Sequence, residues 1–416
     1  MTPDLTLSEF IRPADTIMWG QAHAEPRMLI RTLIGQRRSI GRVRLFLGIG
    51  MSGLLDPDHA DAFDFLSYCG SGPNRKLADA GLLDIVTTHY SRFPQMMMNG
   101  QLGIDVVFLQ VPPPDSQGRY SLGMAREYLL PALDRARVII GEVHPDVPWT
   151  FGGPYLAERD FTALVHSDED LPESAPREIG AVEQAIGANV ASLIGDGAVL
   201  QTGIGNIPDA SLSQLRDRRD LGIHSGAIGD GLAMLCEAGA VTNGRKDIDA
   251  GTSIGGILMG GSKLRGFAHL NPDLALRGTD HTHNPRILGQ LKNFVAINSA
   301  FEVDLTGQAN SEILGGRYCG AVGGIIDFLR AAGASEGGIP IIALPASGRG
   351  ASRIVPALSG PVSVPRSDAG VIVTEHGIAD LRGLSLSQRA RKMIEIAAPE
   401  HRDGLERHLH AQKGAM

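Results

Sequence analysis

The sequence predicts an α/β protein built from two similar open-sheet domains, and three observations carry that expectation. Short β-branched or apolar runs alternate with polar stretches of helical character along the chain. The rhythm breaks near the middle, in a segment rich in acids and proline. With 416 residues, 43% of them hydrophobic, the chain also has more apolar material than a single core of ordinary size takes up.

In the first half the strand-like runs are Val43 to Ile49, Asp84 to Thr88, Ile104 to Val111 and Val138 to Val143. The boundary falls between Asp168 and Glu178, where Asp168-Glu-Asp-Leu-Pro172 and Pro176 interrupt any element. That gives domains of residues 1–175 and 176–416. A helix is expected next, from Ile179 to Ile194. Ala181, Ala185, Ala188 and Ser192 put small residues at helical spacing, and Gly195-Asp-Gly197 ends it. The second half repeats the rhythm at Ala198 to Thr202, Leu221 to His224, Phe294 to Ile297, Ile339 to Leu344 and Val371 to Thr374. The last stretch, Ser385 to Gln412, has the composition of a solvated closing helix, with several Arg and His.

Glycine is in excess, at 53 of 416 residues, where roughly 7% is usual. No G-X-Y period is present, so the surplus belongs in turns and in loops where backbone approaches a ligand. A net charge of −8, from 46 acidic and 38 basic residues without a long block of either sign, argues against a nucleic-acid surface. Cys69, Cys236 and Cys319 lie far apart, so neither a disulfide framework nor a Cys-rich zinc site is expected. The opening Met-Thr-Pro-Asp-Leu lacks a basic and apolar leader, and no run reaches about 18 apolar residues. The expectation is a cytoplasmic protein that neither spans a membrane nor binds nucleic acid.

The strongest local signal is Gln201-Thr-Gly-Ile-Gly-Asn-Ile-Pro-Asp-Ala210, which follows a strand and precedes a helical pattern. Gly203 and Gly205 let backbone amides face a ligand, while Asn206 or Asp209 can cap the helix. Pro208 stands where G-x-G-x-x-G needs its third glycine, and no G-K-S/T is present, so neither a dinucleotide fingerprint nor a P-loop is written here. A second cluster, Gly320-Ala-Val-Gly-Gly-Ile-Ile-Asp-Phe328, precedes another helix and reads equally well as a tight turn or a ligand contact. At Val111-Pro-Pro-Pro-Asp-Ser-Gln-Gly118 a strand ends in a proline-stiffened loop suited to wall a pocket.

His281-Thr-His283 sets two imidazoles on one face of a strand, yet Asn284-Pro285 follows at once and no third ligand has a fixed spacing, so no metal site is assigned. His224, at a strand end, and Asp230 have the materials of a base and its orienter, or of an ordinary capped histidine. No G-x-S-x-G elbow supports a serine hydrolase.

Taken together, these segments resemble the acetyl-CoA hydrolase / 4-hydroxybutyrate CoA-transferase family of the class I CoA-transferases. The resemblance runs through Ile104-Asp-Val-Val-Phe-Leu-Gln-Val, Leu200-Gln-Thr-Gly-Ile-Gly-Asn-Ile-Pro-Asp-Ala210, Leu221-Gly-Ile-His-Ser225, Ala296-Ile-Asn-Ser-Ala300, Glu302-Val-Asp-Leu-Thr-Gly-Gln308, Ser352-Arg-Ile-Val-Pro356 and Val373-Thr-Glu375. It implies two CoA-transferase-type domains with an acyl-CoA bound where they meet, a carboxylic acid as a further substrate in the transferases, and a homodimer as a common assembly. Coenzyme A, entering as the acyl-CoA substrate, falls by this resemblance to Gly203, Ile204, Gly205, Asn206 and Ile207, with Gly320, Gly323 and Gly324. No metal is implied. Lys246, Lys263, Arg265 and Arg349 are unranked candidates for its nucleotide end.

The family's chemistry rests on a glutamate in a segment reading H-T/S-E-M. Here the segment is His224-Ser-Gly-Ala-Ile-Gly-Asp-Gly231, and Gly226 takes that place. Ala227, Ala321, Ile325 and His376 also depart from the family pattern. Glycine cannot carry an acyl group. The preferred reading is therefore an acyl-CoA enzyme in which water attacks, with His224, Asp230 and His376 as its candidate catalytic residues. Two alternatives stand beside it. One is a transferase using another carboxylate, such as Glu237, Glu302 or Glu375; the other is a non-catalytic acyl-CoA binder.

Overall fold

The computed structural model describes residues 5–173 and 178–411. Residues 1–4, the segment 174–177 that contains the expected boundary at 175/176, and Gln412, the expected end of the closing helix, lie outside the described residues. The chain forms two compact α/β units. The first holds residues 1–175, 254–282 and 317–323; the second holds 176–253, 283–316 and 324–416.

The first unit is organised by a seven-stranded parallel sheet. Its strands are β1 (Thr16–Trp19), β2 (Val43–Leu47), β3 (Phe63–Ser67), β4 (Leu83–Ile85), β5 (Val106–Val111), β6 (Val138–Val143) and β7 (Ala163–His166), in the order β4-β3-β2-β1-β5-β6-β7. Every residue of β5 is buried, as expected for a central strand covered on both faces, which is why it reads as one continuous apolar run. Helix α1 (Arg27–Ile40) buries Leu29, Ile30, Leu33 and Ile40, one stripe at helical spacing, and stops at Gly41, whose φ of 90° suits glycine. Its apolar side joins Ile17, Leu45, Phe63, Phe108 and Ile140 in one core.

The second unit carries a six-stranded sheet of β8 (Val199–Thr202), β9 (Gly222–Ile223), β10 (Phe294–Asn298), β11 (Ile339–Ala343), β12 (Val371–Thr374) and β13 (Gly377–Asp380). The order is β9-β8-β10-β11-β12-β13, with all pairs parallel except the β12–β13 hairpin. From β8 the chain goes first to one side, to β9, and then to the other, to β10. The crevice beyond the carboxyl ends of β8 and β10 is therefore a topological switch point, the place where open parallel sheets leave room for a ligand. Phe294, Ala296, Ile326, Phe328, Leu329, Ile342 and Ile372 belong to the core of this unit.

The helix expected over 179–194 is α2 (Ala181–Ser192). Two further expectations change. The single closing helix is two, α6 (Leu386–Glu395), opened by a Ser385–Gln388 capping box, and α7 (Pro399–Ala411). Pro399 explains the division, because proline is tolerated in a first helical turn and not in an interior. His281 lies on a short helical turn, Thr279–Thr282, rather than on a strand. No helix among the described residues is long and apolar enough to cross a membrane.

Candidate active site

Strand β8 ends at Thr202 and the chain turns through Gly203-Ile-Gly205 into α3 (Asn206–Ser213). The Gly203 amide donates to Ile297 O at 3.0 Å, which fastens this turn to β10 at the switch point. Gly205 has φ 138° and ψ −178°, a region essentially closed to other residues. Proline at position 208 falls in the first turn, where its missing N–H removes no helical bond. Ile204 is an exposed large apolar side chain, and Asn206 Nδ2 donates to Glu178 O at 3.2 Å. The result is a strand–glycine–helix cradle whose first-turn amides face outward along the helix axis.

The next strand over brings the His224 segment to the same place. The His224 amide donates to Leu200 O at 3.0 Å. Ser225 Oγ donates to Thr202 O at 3.2 Å and accepts from the Thr202 amide at 3.3 Å. Gly226 is thus pinned beside the start of the glycine turn. His224 and Ser225 are buried, whereas Gly226 is half-buried. Asp230 is exposed as the first residue of α4 (Asp230–Glu237), where a carboxylate suits the positive end of the helix.

Under Gly226 lies His283, only 4% exposed. A Cβ built on Gly226 would fall 2.9 Å from its Cε1 and 3.1 Å from its Nε2; one built on Gly324 would fall 2.6 Å from Nε2. The imidazole packs on Phe328, ring centroids 4.5 Å apart. Burial, reinforced by the nearby His224, pushes the His283 pKa down to about 3, so the ring is neutral at physiological pH. The sequence offered His283 only as half of a weak metal pair. Its contact with Gly226 carried no local signal, because the two residues come from distant segments.

The second glycine cluster is divided between the units. Gly320 O accepts from Gly70 N at 3.0 Å and Gly323 O accepts from Tyr90 N at 2.9 Å, both within the first unit. Gly323 has φ 57°. Gly324 belongs to the second unit and caps α5 (Ile325–Ala334).

His376 sits elsewhere. It is in the β12–β13 turn, with its amide on Thr374 Oγ1 at 3.1 Å and Nε2 3.8 Å from Glu375 Oε1. His224 follows β9, and β9 and β12 are four strand positions apart, roughly 19 Å at the usual inter-strand spacing. The structure therefore groups His224 with Gly226 and His283, and sets His376 apart.

Two of the three alternative carboxylates are tied down. Glu302 accepts from Ser359 N at 2.7 Å, Ser359 Oγ at 2.9 Å, Gly360 N at 3.2 Å and Asn310 Nδ2 at 3.0 Å. Glu375 accepts from Ala346 N at 2.8 Å. Glu237 is the last residue of α4. Among the cationic candidates, Lys246 points inward and donates to Ile223 O at 3.0 Å and Thr252 O at 2.6 Å. Arg265 pairs with Glu173.

Sequence reasoning also missed a buried polar network in the first unit. Gln21 Nε2 donates to Glu127 at 2.8 Å and to Tyr90 Oη at 2.9 Å, and Tyr68 Oη donates to Gln21 Oε1 at 2.6 Å. Tyr90 Oη also donates to Glu127. Burial raises the Glu127 pKa to about 7.

Comparison with known proteins agrees with this architecture. Residues 5–156 match the model for the acetyl-CoA hydrolase/transferase N-terminal domain, and residues 260–409 match that for its C-terminal domain. A 4-hydroxybutyrate coenzyme A transferase of Clostridium kluyveri is 39% identical over 338 residues, covering 80% of this chain and 79% of the relative. A succinyl-CoA:acetate/propanoyl-CoA:succinate CoA transferase of Fasciola hepatica is 33% identical over 407 residues, covering 96% and 85%. The crystal structure of RipA from Yersinia pestis superposes with a TM-score of 0.94 at 32% identity, covering 99% of this chain and 97% of that one. The two-part family match and the near-complete structural likeness lead to one conclusion: the chain belongs to the acetyl-CoA hydrolase/transferase family.

Proposed function

We propose that this protein hydrolyses an acyl-CoA thioester. In this reading the glycine turn Gly203, Ile204, Gly205, with Asn206 and Ile207 at the head of α3, holds coenzyme A, and Gly324 of the same unit supplies a further backbone contact. Water takes the part that an enzyme carboxylate plays in a transferase.

The observation that carries this reading is the filling of the Gly226 site. Residue 226 bears no carboxylate, and a Cβ there would already press on a buried imidazole at 2.9 Å. Glu302 and Glu375 spend their oxygens on backbone amides and a neighbouring serine and asparagine, which supports a structural part for both. His224, two residues from Gly226 and next to the glycine turn, is the base of this proposal. It takes the proton of water as the new C–O bond forms and returns it to the thiolate sulfur when the C–S bond breaks, leaving a carboxylic acid and free coenzyme A. Asp230 opens the helix after this turn and contributes negative charge on the same segment.

A thiol reagent reads the reaction directly. Across a panel of acyl-CoA esters, free thiol is expected without any acceptor acid, and His224→Ala should abolish it. Coenzyme A recovered only as the ester of an added acid, with no free thiol, would contradict hydrolysis.

A further inference from the structure

Arg126 of the first unit is fully buried, at 0% exposure, yet only one side of its guanidinium is used. Nη1 donates to Pro154 O at 2.7 Å, whereas Nε and Nη2, buried as well, have no hydrogen-bond partner among the described residues. Those two N–H groups form one edge of the planar group, the edge that pairs side by side with the two oxygens of a carboxylate. A second arginine of the same unit stands opposite. Glu127 and Gly278 form a parallel bridge, so Arg126 and Arg277, which precede them, are neighbours across it, with their amides on Gly256 O at 3.0 Å and Gly255 O at 2.8 Å. Arg277 Nη1 donates to Gly152 O at 3.2 Å, and its Nε is buried with no partner among the described residues.

Like charges set opposite each other destabilise a fold, and burial raises the cost. Burial lowers the Arg126 pKa to about 10; Tyr155 opposes this shift and Arg277 adds to it. The side chain is thus still a cation at neutral pH. Its Cζ lies 5.8 Å from the Tyr155 ring centroid, which answers the charge only in part. The adjacent Glu127 is no counter-ion, because its carboxylate is held by Gln21 and Tyr90. Arg119 makes the contrast: it too lies over Tyr155, at 5.0 Å, but Asp115 accepts from its Nε at 2.8 Å. Arg126 and Arg277 have no such acid among the described residues, and a buried cationic pair of this kind is completed by an anion.

We propose that Arg126 and Arg277 form a binding site for a small organic carboxylate: its two oxygens accept from Nε and Nη2 of Arg126, and one of them accepts also from Nε of Arg277. Arg277 and Tyr155 are only half-buried, so the approach to Arg126 lies past them. A flat, singly charged group matches one guanidinium edge, and it costs less to strip of water than a phosphate dianion. The inference is independent of the hydrolytic reading, whose residues belong to the second unit.

The test is titration calorimetry and thermal melting of the whole protein at pH 7 and constant ionic strength, with sodium acetate, sodium succinate, inorganic phosphate and acetamide as probes. Acetate or succinate should bind and, at about 100 times its dissociation constant, raise the melting midpoint by several degrees. Acetamide, the same shape without charge, should do neither. Arg126→Met should weaken carboxylate binding at least about tenfold. Arg126→Lys should lose nearly as much, because an ammonium keeps the charge and not the fork. Arg277→Met should weaken binding about tenfold and serves if the Arg126 variants do not fold. No binding of either carboxylate, equal binding in a folded Arg126→Met or Arg277→Met, or phosphate bound more tightly than both carboxylates would overturn the proposal.

Discussion

Gly226 and His283 share one space: a Cβ on Gly226 would lie 2.9 Å from Cε1 and 3.1 Å from Nε2 of a ring that is itself 4% exposed and packed on Phe328. The absence of a side chain at 226 and the presence of the imidazole are thus one structural fact. Gly226→Glu alone should overpack the turn at about 1–3 kcal/mol, lowering the melting midpoint by about 2–4 °C per kcal/mol. Gly226→Glu combined with His283→Ala should recover most of that loss. Calorimetric melting of the two variants checks this, and a single variant as stable as the parent protein would show that the ring moves freely aside.

The glycine turn has a different vulnerability. Gly205 stands at φ 138° and ψ −178°, so Gly205→Ala should cost about 1–3 kcal/mol in backbone strain and weaken CoA-ester binding measured by titration calorimetry. Gly203→Ala is the contrast. A Cβ there meets nothing closer than 4.0 Å, and its effect on the melting midpoint should be clearly smaller.

Glu302 separates structural from chemical roles. Its carboxylate gathers donors from Ser359, Gly360 and Asn310, so Glu302→Ala should destabilise the second unit by about 1–3 kcal/mol through the donors it strands. The fraction that remains folded should keep its thiol-release rate. A stable Glu302→Ala protein with no activity would return this glutamate to the chemistry.

The first unit should record the buried acids in its pH dependence. Glu127 is raised by burial from 4.5 to about 7, and Glu142 likewise. Between pH 4.5 and about 7 the unfolded chain has lost these protons while the folded one retains them, so this stabilisation is complete below pH 4.5 and lost as pH rises toward 7. Glu127→Gln removes one such group. Its stability relative to the parent protein should improve across that interval by up to about 1.4 kcal/mol per pH unit, measured by urea unfolding at a series of pH values. A difference independent of pH would mean that Glu127 is ionised in the fold.

The parts of this fold that were legible in the sequence are those in which local pattern and burial coincide. Val106–Val111 and Val371–Thr374 are buried at every position, so their apolar runs announce central strands. Thr16–Trp19, also wholly buried, mixes Met and Trp with its β-branched pair, whereas Val371–Thr374 is β-branched throughout, so only the latter stands out as a strand. In Phe63–Ser67 an exposed Asp64 interrupts the run. The Gly203–Gly205 turn was legible because strand, glycines and helix follow one another directly along the chain. The partners of its neighbour Gly226 were not. His283 and Phe328 reach it from separate segments, and His376 looked like a companion of His224 until the strand order set four positions between β9 and β12.

In the proposed reaction water, and not a side-chain carboxylate of the protein, attacks the thioester. The most direct measurement is to quench the protein with borohydride during turnover of an acyl-CoA and to map its peptides by mass spectrometry while free thiol is counted in parallel. The expected result is accumulating thiol with no reduced glutamate or aspartate on any peptide. A single reduced carboxylate, formed only in the presence of the acyl-CoA, would contradict direct attack by water and identify a covalent carrier.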